Sequence, residues 1–222
     1  EMDVPNQLRA VTANNCTVSH LAVDGDIISD IPNQLNRIPK NATHLFVSVG
    51  GNDIALKMNM CTVCNMLGLI CCTPSCLIER GCATPLPCDE CCLCGCGTGC
   101  LSDFCACPPC GGYFAHLFRT RIKAYIERMV SKTKPKNVVV CMIYYPDERA
   151  TGSWADCALS LLGYNRNPSK LQLLIRKMFE EATRRIDITG TRVIPVALYD
   201  ALDGKQTGDY VARVEPSETG GE

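Results

Sequence analysis

The chain has 222 residues and a formal net charge of −1, with 46% hydrophobic and 20% charged residues. That suffices for one ordinary domain, or one domain with a sizeable insertion. A near-neutral balance leaves no electrostatic footprint for nucleic acid, and no segment approaches the run of about 20 apolar residues that an integral membrane segment needs.

In chain order, "CTVSHLAV" (16–23) alternates loosely and carries β-branched residues, which predicts a strand. "DGD" (24–26) turns the chain. "IPNQLNRIP" (31–39) suits a short helix, with Asp30 as N-cap and Pro39 as its stop. "THLFVSVG" (43–50) is apolar at nearly every position, as in a strand covered on both faces of a parallel sheet. Phe114, Leu117, Phe118, Ile122, Tyr125, Met129 and Val130 recur at helical spacing, and Pro135 ends that helix. "NVVVCMIYY" (137–145) predicts another strand, followed by the polar loop "PDERATGSW". Asn167 is placed to cap a helix with Pro168 in its first turn. Leu171, Leu174, Ile175, Met178, Phe179, Ala182 and Ile186 form its stripe, with Gly190 as its stop. "RVIPVAL" (192–198) predicts the last strand. Strands that alternate with long helices predict an α/β domain with a mainly parallel sheet and helices on both faces.

Ligands of such sheets gather at the carboxyl ends of the strands. "DGD" (24–26), "GGND" (50–53) and "YYPDER" (144–149) fall there. Glycine lets backbone N–H groups approach a ligand, and an Asn amide donates from a neutral side chain. Together they can hold an oxygen that turns negative during acyl transfer. The alternative for the same four residues is an ordinary strand-to-loop turn. Asp147 and Glu148 end a strand on the site side, where they could touch substrate, but a solvated turn is the favoured reading; Trp154 and Tyr164 read as local packing. His20, His44 and His116 read as packing or surface residues.

Three stretches, "HLAVDGD" (20–26), "VSVGGND" (47–53) and "RVEPSETGG" (213–221), together resemble the SGNH, or GDSL-type, esterase/lipase family. The resemblance implies a flavodoxin-like three-layer α/β/α fold that hydrolyses carboxylic esters with a Ser-His-Asp triad. The family's Gly-x-Asn-Asp block is matched by Gly50, Gly51, Asn52 and Asp53. The oxyanion hole would be the Gly25 N–H and the Asn52 amide. The resemblance implies no cofactor and a small-molecule or lipid acyl ester as substrate. Two departures stand out. The sequence contains no Gly-Asp-Ser turn, so the first strand and the Ser nucleophile are expected to precede Glu1, the alternative being a chain that never had them. Where the family has Asp-x-x-His before Pro, this chain has Ala212 and Glu215 before Pro216. A carboxylate can serve as a general base, so Glu215 stays a candidate, with Asp209 slightly upstream. The two alternatives are a catalytically inactive binding protein of the same fold and a Cys-rich metal-binding or interaction module on an inert α/β scaffold.

Cysteine is the compositional outlier. There are 18, and all but Cys16, Cys141 and Cys157 fall between Cys61 and Cys110. Residues 58–112 therefore read as a Cys-rich insertion in a single, partial domain spanning 1–222. Its Cys88/Cys91 and Cys107/Cys110 pairs have the spacing of a four-cysteine zinc site. A disulfide-stapled loop and a low-complexity segment remain open beside it. Sequons at Asn15 and Asn41 lean, with the cysteines, toward a secretory or lumenal compartment.

Overall fold

The computed structural model describes residues 4–12, 15–55, 60–80 and 111–221. It is a mixed α/β chain built on a three-stranded parallel sheet in the order β1-β2-β3, with β1 at His44–Ser48, β2 at Asn137–Met142 and β3 at Arg192–Ala197. Val47, Val140 and Pro195 lie in register across it. Proline has no N–H for a ladder, which confines it to an edge strand, and β3 is an edge.

Parallel neighbours need a crossover, and each crossover here contains a helix. Between β1 and β2 runs a long helix, α5, whose segments Gly112–Ala115, His116–Arg121 and Ile122–Thr133 follow without a break, the middle one π-helical. Lys134 then takes a left-handed conformation ahead of Pro135, a common way to end a helix. Between β2 and β3 run α6 (Ala155–Leu161) and α7 (Pro168–Glu181). Ahead of β1 lie a short helix, α1 (Val4–Val11), and two 3₁₀ turns, Ile31–Asn33 and Leu35–Arg37. The chain ends in a two-stranded ribbon of β4 (Tyr210–Val211) and β5 (Glu215–Pro216), followed by α8 (Glu218–Gly221). None of the helices of the described residues is long and apolar enough to cross a membrane.

The core lies on one face of the sheet. Val138, Val140 and Met142 of β2 are buried in one cluster with Phe118, Ile122 and Ile126 of α5 and Leu174, Ile175 and Met178 of α7. The opposite face carries Phe46, Val139 and Ile194 in one cross-strand row. Phe46 is 58% exposed and its two neighbours are half-buried. The described residues thus cover this face only in part, and β1 is not sealed on both sides as its composition predicts.

Four other expectations are corrected. Residues 16–23 run as mostly exposed coil, not strand. They find no ladder partner among the described residues, and an unpaired backbone turns to water or side chains; Arg9 Nη2 donates to Val18 O at 2.8 Å. Asp30 does not cap its helix but accepts the Ile27 N–H at 3.2 Å. Asn167 does not cap α7 and instead accepts the Ser169 hydroxyl at 2.6 Å. The α7 helix stops at Glu181, well before Gly190, where Ala182 leaves the helical region at φ −120°.

Part of the expected insertion belongs to the core. Residues Met60–Leu67 form α3, which continues as a π-helical segment, Gly68–Cys72, and Ser75–Glu79 form α4. Met66, Leu69 and Ile78 of these elements join the buried cluster. Cys88, Cys91, Cys107 and Cys110 lie outside the described residues.

Gly50, just after β1, is held at φ +102°, and a Cβ there would sit 2.6 Å from the buried Phe118 ring. Gly50→Ala combines a forbidden backbone angle with overpacking, and the expected loss is about 2–4 kcal/mol of stability. Urea denaturation of the two proteins measures it, and Gly51→Ala, whose Cβ would meet only an ordinary contact at 3.5 Å, is the control.

Candidate active site

The carboxyl ends of all three strands open on one cavity of about 460 Å³. Its polar end is built from separate stretches. Ser48, Gly51 and Asn52 come from the exit of β1, Tyr144 and Pro146 from the exit of β2, and Glu215 from β5. Asp24 and Asp26 reach it from the turn ahead of the first 3₁₀ helix. Its remaining walls are apolar and include Leu69, Phe118, Leu171, Leu174 and Met178.

The Gly-Gly-Asn-Asp stretch does three separate jobs. Gly50 lets Phe118 close over the strand end. Asn52 Nδ2 donates to Asp26 O at 2.9 Å. A side-chain amide carries two N–H groups, so this bond orients Asn52 and leaves one hydrogen to give. Asp53 is buried, and its Oδ2 accepts the Ile28 N–H at 3.0 Å. The two side chains therefore tie the 24–28 segment to the end of β1, although the segments lie far apart in sequence. These residues open a short helix, α2 (Gly51–Ala55), and are not a free loop.

Asp24 and Gly25 are the central residues of a turn closed by Asp26 N donating to Val23 O at 3.2 Å. Gly25 has φ +77°, the conformation that a type II turn requires at its third residue. The turn's own bond uses the Asp26 N–H and not that of Gly25. Gly25 stands at the apex, between the two aspartates that line the cavity.

Glu215 is exposed and pairs with Val211 across the β4–β5 ribbon. Its position is set by its neighbours. Tyr144 donates its hydroxyl to Val214 O at 2.7 Å, and burial, then the nearby Glu215 charge, push that phenol far up, so it stays a donor. Arg213 is completely enclosed, with Nε and Nη2 donating to Asp147 O at 3.1 and 2.8 Å. Its Nη1 bonds Asp156 Oδ1 at 2.7 Å and Asn165 Oδ1 at 2.8 Å. The Arg213 hydrogen bond comes first among the causes that hold the Asp156 carboxyl below its ordinary range.

The expected site residues thus meet in part. Asn52 and Glu215 line one cavity together with Asp24 and Asp26, whereas Gly25 between those aspartates, Ala212 and Asp209 do not line it. None of His20, His44 and His116 lines it either. Asp147 is fully buried, not a solvated turn, and its backbone carbonyl receives Arg213. Glu148 is half-buried and accepts from Gln172 at 2.8 Å. Trp154 is 54% exposed and lines the cavity, so it is more than local packing. Tyr164 is packed as expected, donating its hydroxyl to Pro146 O at 2.6 Å. Among the described residues, no group of three or more His, Cys, Asp or Glu side chains can hold a metal ion, and Cys16, Cys64, Cys71, Cys72, Cys76, Cys141 and Cys157 are free thiols.

Burial, partly offset by the Ile28 N–H and by Arg121 at 3.9 Å, raises the Asp53 carboxyl above its ordinary value of 3.8. A raised carboxyl contributes its stability fully below the unfolded value and loses it as pH climbs through the folded one. Asp53→Asn removes that slope. Urea midpoints measured from about pH 4 to pH 7 are expected to shift in favour of the variant as pH rises; a constant difference between the two proteins contradicts the assignment.

The chain matches no protein-family model, no curated protein and no solved structure.

Proposed function

We propose that the chain carries the oxyanion-binding and acyl-binding parts of an SGNH-type ester hydrolase, whose Ser nucleophile is supplied by residues outside this chain. The observation that carries this reading is the position of Asn52. Its amide is oriented by Asp26 at the carboxyl end of a parallel strand, and it lines a mostly apolar cavity whose few other polar members are Asp24, Asp26, Ser48, Tyr144 and Glu215. In the reaction, the Ser oxygen attacks the ester carbonyl. The carbonyl oxygen becomes negative and accepts from the Asn52 amide and the Gly25 N–H. A general base, for which Glu215 is the candidate, takes the Ser proton and returns it to the alcohol as the intermediate collapses, leaving an acyl-enzyme that water then hydrolyses to the acid and free Ser.

Two features of the fold support the same reading. The sequential order of the three parallel strands is what the last three strands of a flavodoxin-like sheet, order 2-1-3-4-5, would have. In that order the second strand pairs only with the first, in keeping with a coil at 16–23 that finds no ladder partner among the described residues. In this reading the whole domain has a flavodoxin-like three-layer α/β/α architecture.

A second reading is a protein that binds an acyl group without turning it over. What favours it is the general base. No histidine borders the cavity, and Glu215 stands in the family's His position.

One experiment separates the two. The native protein is isolated from its source, assayed on p-nitrophenyl esters and treated with a fluorophosphonate, which labels activated serines. The hydrolase reading predicts labelling and turnover, and a loss on the order of 10²–10³ in rate on Asn52→Ala. Binding of acyl ligands with no serine labelling and no turnover selects the second reading.

A further inference from the structure

The volume and lining of the cavity carry more than a general ester reading. We infer that the acyl group recognised here is long and unbranched, with on the order of ten or more carbons. It would sit between α5 and α7 with its carbonyl end at Asn52. The hydrolase proposal supplies only the chemistry at the carbonyl; recognition of the chain stands on the cavity itself.

Three observations converge. First, size: one water takes ~30 Å³ of the liquid and a methylene is of similar size, so a cavity of about 460 Å³ holds on the order of a dozen chain carbons. An acetyl or propionyl group would leave most of it empty. Second, chemistry: the walls from α5 and α7 are Phe114, Phe118, Leu171, Leu174, Ile175 and Met178, none of which carries a hydrogen-bonding side chain. A sugar, nucleoside or peptide placed there would lose its bonds to water without replacement. Flexible Met178 of α7 and Met66 of α3 both line the cavity and can follow a chain that changes its bends. Third, continuity: these walls and Asn52 belong to the same cavity, so a polar head and an apolar tail are served at once.

The rim fits an amphiphile. Trp154 is 54% and Leu161 62% exposed, and both line the cavity. They bracket α6 at a spacing of two helical turns, which puts both on one face. Exposed large apolar side chains beside an apolar cavity offer an aliphatic chain a first contact before it enters.

The test is equilibrium binding by this chain, which needs no turnover. A fluorescent long-chain fatty acid is displaced by saturated alkanoic acids from four to sixteen carbons, each below its micelle concentration, and in parallel by their methyl esters. The affinity is expected to rise about fourfold per added methylene, then level off near a dozen carbons when the cavity is full. Leu174→Trp and, at a half-buried cavity position on α6, Ala158→Phe are expected to move the plateau to shorter chains. Which series binds tighter tells an acid ligand from an ester one. An affinity independent of chain length, or a plateau unmoved in folded Ala158→Phe, overturns the inference. A chain-length plateau with no ester turnover by the native protein leaves it standing while the hydrolase reading falls. Equal turnover of acetyl and dodecanoyl esters does the reverse.

Discussion

The arrangement of the site depends on one buried cation. Arg213 lies within the C-terminal ribbon and has no exposed side-chain surface. Taking a guanidinium out of water is costly unless its donors are met. Here Nε, Nη1 and Nη2 all find acceptors, on Asp147, Asp156 and Asn165. The pairing holds four pieces of chain together: the ribbon turn, the loop after β2, the start of α6 and the connection from α6 to α7. Both Ala212 and Arg213 adopt positive φ, at 49° and 72°, a conformation that side chains other than glycine resist. Such strain persists where the surroundings over-determine it, and the enclosed guanidinium is that surrounding. Through this clamp, Val214 and Glu215 are delivered to the cavity mouth.

The second constraint is the strand end at 50–53. Gly50 admits the Phe118 ring, Asn52 meets Asp26, and Asp53 receives Ile28. One four-residue stretch thereby fixes the α5 wall of the cavity and the turn that carries Gly25. It also places the amide that faces the reacting group in the proposed hydrolase. The same residues end the strand and open α2, and in the proposed hydrolase they would also donate to the reacting group, so a structural reading and a chemical one are not exclusive.

The strands and long helices were legible because their signal is local. Val138, Val140 and Met142, or Leu171, Leu174 and Met178, repeat at the period of their element, and burial follows that period. What was not legible depends on partners remote in sequence. Residues 16–23 have strand-like composition but no neighbour to pair with among the described residues. Asp147 looks like a loop carboxylate until Arg213 closes on its backbone from much further along the chain. Phe46 looks like core but lies on the sheet face away from the buried cluster. The cavity was invisible for the same reason: α3, α5, α6 and α7 each contribute ordinary apolar residues, and only their meeting makes a space. The Gly-x-Asn-Asp stretch was readable, because its residue types and its place after an apolar run both point to a strand end.

The central claim is that Asn52 and the apolar cavity form a single site for one acyl ligand. A crystal structure of the protein with dodecanoate tests it most directly. The account predicts one carboxylate oxygen about 3 Å from Asn52 Nδ2 and the aliphatic chain running between Phe118 and Leu174. A chain bound elsewhere, or one in the cavity with its carboxylate directed away from Asn52, contradicts it.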